Sequence, residues 1–165
     1  MTGAESETVP GYRLRRWLFA MTVLLIIQIG NGMVVNLFVT IPPHHPGAAP
    51  GSYLSGSARS LAWALGSAPP ALAIHASLGV ALILGCVAVA VAATRCASRA
   101  VATLTTLAAA LIIGAAFNGV SFLDFNHDIS SLIMALLALA AVLCYLTALF
   151  TLPRPLTDPL ARQES

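Results

Sequence analysis

Four long apolar runs, separated by a proline-rich stretch and two short polar breaks, divide the chain. Their spacing predicts helices over about 17–41, 70–93, 100–122 and 129–152. A helix rises 1.5 Å per residue, so each run of roughly 20 residues or more crosses a hydrocarbon core of roughly 30 Å. The pattern predicts an all-α membrane protein, a four-transmembrane-helix bundle spanning 17–152. Arg13, Arg15 and Arg16 precede the first run, as basic residues precede the core of a signal peptide, but this run is too long for one and no A-x-A site closes it.

The flanks 1–16 and 153–165 are polar and read as disordered tails. The stretch 42–69 is rich in Pro, Gly and Ser, which ends the first helix and begins a long connection. Within it, 57–65 has the composition of a short helix lying on the membrane surface, with Trp63 at headgroup depth. Connections of this length are usually structured, so this one is expected to cap the bundle. His44 and His45 lie in it between prolines, without a third metal ligand nearby.

The polar residues inside the runs are few and patterned. Gln28, Gly32 and Asn36 recur at i, i+4 and i+8, with Asn31 beside them, and so share one helix face. An unpaired amide is costly in lipid, so this stripe is expected to point into the bundle. Two readings stay open for it: helix packing, with glycine admitting a neighbour, or the lining of a ligand pocket. Asn118 and Gly119 repeat the pairing in the third run. His75 stands in the second run with Gly79 one turn later, and His127 opens the fourth with Ser131 one turn later.

Composition strengthens the membrane reading: 58% of the 165 residues are hydrophobic and 8% charged, where soluble domains are about a quarter charged. A net charge of +2 gives no basic face for nucleic acid. All the basic residues are arginines, and all but Arg59 fall in the tails or at 95 and 99. The positive-inside rule then predicts both termini in the cytoplasm of a multi-pass plasma-membrane protein, with the 42–69 loop and both membrane histidines toward the outer side. Cys86, Cys96 and Cys144 have no metal-ligand spacing, and no disulfide is expected.

In this topology the second and fourth helices run parallel, which brings His75 and His127 to similar depth. Two neutral imidazoles on separate helices are a common way to hold haem iron. Gly79 and Ser131 would leave room for the porphyrin, and Arg59 is a candidate partner for a propionate. Gln28, Gly32 and Asn118 are candidate pocket residues. A plainer account is also available, in which His127 is solvated beside Asp124 and Asp128 and Gly79 serves packing.

The helix count, the histidines on the second and fourth helices and the IHASLG step together resemble one half of haem A synthase. They also resemble small four-helix bacterial membrane proteins with the same His-x-x-x-Gly step. The resemblance covers residues 17–152 and implies haem binding. In the synthase a glutamate precedes the second-helix histidine by three positions; here Leu72 stands there, and no Asp or Glu lies within 70–93. The resulting expectation is a haem b held by His75 and His127, for electron transfer or as a haem-carrying subunit of a larger assembly. No catalytic base, nucleophile or phosphate loop is evident. The alternative is a non-redox accessory subunit, or less readily a small-molecule transporter, with Gln28, Asn31, Asn36, Asn118 and His75 as an internal polar network.

Overall fold

A computed structural model describes residues 5–48, 52–125 and 128–152. It is all-α: α1 (Glu5–Phe38), α2 (Tyr53–Gly66), α3 (Pro70–Cys96), α4 (Arg99–Phe125) and α5 (Asp128–Thr151). Four of these contain spans long and apolar enough to cross a membrane, Gly11–Phe38, Pro70–Arg95, Arg99–Phe125 and Ile129–Thr151. Most of each span faces outward. Phe38 and Phe150 are 79% and 85% exposed, an arrangement that water would oppose and lipid accepts. The chain is therefore a multi-pass membrane protein with a bilayer as its solvent.

The predicted helix positions hold, with shifts at the ends. α1 begins at Glu5, well before Trp17 and inside the stretch expected to be disordered. Leu14, Leu18, Met21 and Leu25 form one buried stripe at helical spacing, so packing begins at Leu14, inside what composition marked as a tail. α1 also stops at Phe38, short of 41, because the residues leading into Pro42 are biased away from helix. Pro70 occupies the first turn of α3, where its missing N–H has no helical partner to lose. The tail 153–165 lies outside the described residues.

The four spans form a ring. α1 packs beside α3 and α5, α4 also packs beside α3 and α5, and so α1/α4 and α3/α5 stand at diagonal corners. Small residues allow the convergence: Ala108, Ala141 and Ala148 are fully buried with Leu18, Cys86, Val89 and Tyr145. α2 lies across the ends of α3 and α4, as the expected cap does.

Candidate functional site

The polar stripe of α1 meets His75 of α3. Burying an amide among apolar helices requires a partner, and Gln28 finds two on one residue. Its Nε2 donates to the His75 carbonyl oxygen at 3.0 Å and lies 3.2 Å from His75 Nε2. The carbonyl can only accept, which fixes that end of the amide as nitrogen. Its second hydrogen then points at the ring, so His75 Nε2 accepts and the proton is assigned to Nδ1.

Two glycines line this seam. A Cβ on Gly32 would stand 2.9 Å from His75 Cε1, and one on Gly79 would stand 3.4 Å from Gln28 Nε2. Gly32 thus makes room for the imidazole, while Gly79 lies at ordinary contact distance from the amide that holds it. Inside the seam His75 Nδ1 and Gln28 Oε1 are buried without a hydrogen-bond partner among the described residues, as is Asn31 Nδ2 on α1.

The remaining candidates are more dispersed. Ser131 on α5 donates to Asn36 Oδ1 on α1 at 3.4 Å. Asn118 turns back on its own helix and donates to the Gly114 carbonyl at 2.9 Å. Arg59 is on the exposed face of α2 and donates to the Ser55 carbonyl at 3.2 Å. His127 lies outside the described residues. No group of three His, Cys, Asp or Glu arranged for a metal ion occurs among the described residues. An open groove of about 510 Å³ runs along α3 past Ala73, Ile74, Ser77, Leu78 and Ala81, and His75 is not part of its wall.

A second polar centre lies under the cap, assembled from residues far apart in the chain. Asp124, near the end of α4, is 4% exposed and accepts hydrogen bonds from Ser57 at 3.1 Å and Ser60 at 2.5 Å, both on α2. Tyr53 reaches Ser121 at 2.9 Å. His45, also buried, places Nε2 at 2.9 Å from the Leu123 carbonyl and stacks on Trp63 with ring centroids 4.5 Å apart. Gly47 has φ +103° and a backbone packed against Gly56 and Ser60, where no other residue fits.

Sequence reasoning noted Trp63 only as a residue at headgroup depth and Asp124 only as a neighbour of His127; in the structure both belong to this latch. The available signal was the pair Ser57 and Ser60, which share one face of α2, together with the H-P-G step at 45–47. Comparison with known proteins finds no match: no family model, curated protein or solved structure aligns with the chain.

Proposed function

We propose that this protein carries a haem b toward the capped end of the bundle, with His75 as one axial ligand and His127 as the candidate for the other. The observation that carries the reading is an imidazole set into an apolar membrane seam, with its orientation fixed by Gln28. Ionisable side chains in that setting are functional by default. The donor set suits haem iron, a neutral imidazole in low-dielectric surroundings. The lone pair available for iron would be that of Nε2, so the Gln28 amide, which engages Nε2 here, would have to give way to the metal.

A haem held there would exchange single electrons, so the protein would serve electron transfer or act as the haem-bearing subunit of a larger membrane assembly. The resemblance to half of haem A synthase supports this reading, and Leu72 in place of the glutamate argues for a carrier and not a catalyst. The arginine distribution supports a plasma-membrane setting with both termini cytoplasmic and the capped end outside.

A second reading, a non-redox accessory subunit, is favoured by the Gln28–His75 pair itself, which already engages Nε2. Visible spectra of the detergent-purified protein, oxidised and reduced, separate the two. Haem gives a Soret band with reducible α and β bands, lost in His75→Ala and in His127→Ala. Gln28→Leu, which releases Nε2, should retain the bands. A protein that is colourless and stays so with added haemin sinks the haem reading and leaves the second.

A further inference from the structure

The alternating helices bring the start of α1, the end of α3, the start of α4 and the end of α5 to one end of the bundle. That end carries Arg13, Arg15, Arg16, Arg95 and Arg99. Among the described side chains the one acid is Asp124, at the opposite end. Glu5 and Glu7 lie on α1 about two turns or more further out than Arg15. The arginines therefore stand where the bundle emerges from lipid.

Two of them border a cavity. Between α1 and α5 a groove of about 500 Å³ is lined by Arg15 and Arg16 and, toward the membrane, by Phe19, Leu146, Leu149 and Phe150. Arg15 is held in place by donating to the Leu152 carbonyl at 2.9 Å. Arg16 projects beside the Tyr12 ring, its guanidinium carbon 5.8 Å from the ring centre. Cations above and aromatic and aliphatic walls below match a molecule with an anionic head and an apolar tail.

We infer that this groove binds an anionic glycerophospholipid, with the phosphate at Arg15 and Arg16 and an acyl chain along Phe19, Leu146 and Phe150. Guanidinium groups suit phosphate because their planar N–H donors match its oxygens. Basic pockets between transmembrane helices are a recurrent form of headgroup site. A zwitterionic lipid offers the same tail but presents its own cation to the arginines, so charge selects between them.

The test uses the full chain in mixed micelles with phosphatidylglycerol or phosphatidylcholine carrying the same photoactivatable acyl chain. Phosphatidylglycerol should label peptides containing Phe19 and residues 146–150, and phosphatidylcholine should label them weakly. Arg16→Gln should lower the labelling about five-fold, while Arg13→Gln, which removes the same charge from outside the groove, should change it less than about two-fold. Inorganic phosphate in excess should not compete, which separates the lipid from a free anion. Equal labelling by both lipids, equal loss in the two variants, competition by phosphate, or no labelling of these peptides because the chain's own 153–165 segment fills the groove would each overturn the assignment.

Discussion

Gly32 of α1 is the floor on which the His75 ring of α3 rests, with less than a methyl group of clearance between them. Gly32→Ala forces the ring or the helices to move, and overpacking of this kind costs about 1–3 kcal/mol. A methyl group added at Gly30, two residues away, would meet nothing within 4 Å, so Gly30→Ala should be neutral or slightly stabilising. Thermal unfolding of both variants in one detergent checks the contrast.

The Gln28–His75 pair should show coupling. Removing either partner leaves the other with a buried polar group unpaired, at about 1–3 kcal/mol, though membrane hydrogen bonds are often weaker, about 0.6 kcal/mol on average. Gln28→Leu and His75→Leu together should cost less than the sum of the single changes. Additive losses in the double-mutant cycle would show that the two side chains do not interact.

Gly47 should tolerate no side chain. Its φ of +103° disfavours any L residue, and the backbone of α2 occupies the space a Cβ needs. Gly47→Ala should loosen the cap while leaving the four spans folded. Limited proteolysis should then cut within 42–69 faster, with helical content by circular dichroism nearly unchanged.

Asp124 holds two serine hydroxyls of α2, so Asp124→Ala should release the cap at a cost of about 1–3 kcal/mol. Trp63 would lose its place against His45, and its emission should shift to the red. Trp17 is on the outer face of α1, far along the chain from the latch, and should contribute a constant background. An unshifted spectrum in Asp124→Ala would show that the carboxylate does not secure α2.

Much of this architecture could be read from residue order alone. Apolar run lengths set the four spans, proline placement set the start of α3, and the Gln28–Gly32 spacing marked an inward face. Rotation about the helix axes was not legible, because helices that are apolar nearly all round carry little directional signal. Depth alone paired His75 with His127, whereas the described structure turns the His75 ring toward α1 and engages it with Gln28. The small residues at Gly79 and Ser131 were noticed for space; Gly79 instead faces Gln28 at ordinary contact distance, and Ser131 meets Asn36. The latch was hidden for a different reason: His45, Trp63 and Asp124 are brought together by tertiary folding, and neither periodicity nor local composition reports such meetings.

The neighbour relations of the ring also constrain its biogenesis. α1 packs against α3 and α5 but not α4, so α1 has one flank that is covered only after α5 has been synthesised. During insertion, lipid or an insertion factor must occupy the α1 face that later receives α5. The Arg15 contact to the Leu152 carbonyl joins α1 to the end of α5, and a ring made without α5 would stay open along that side.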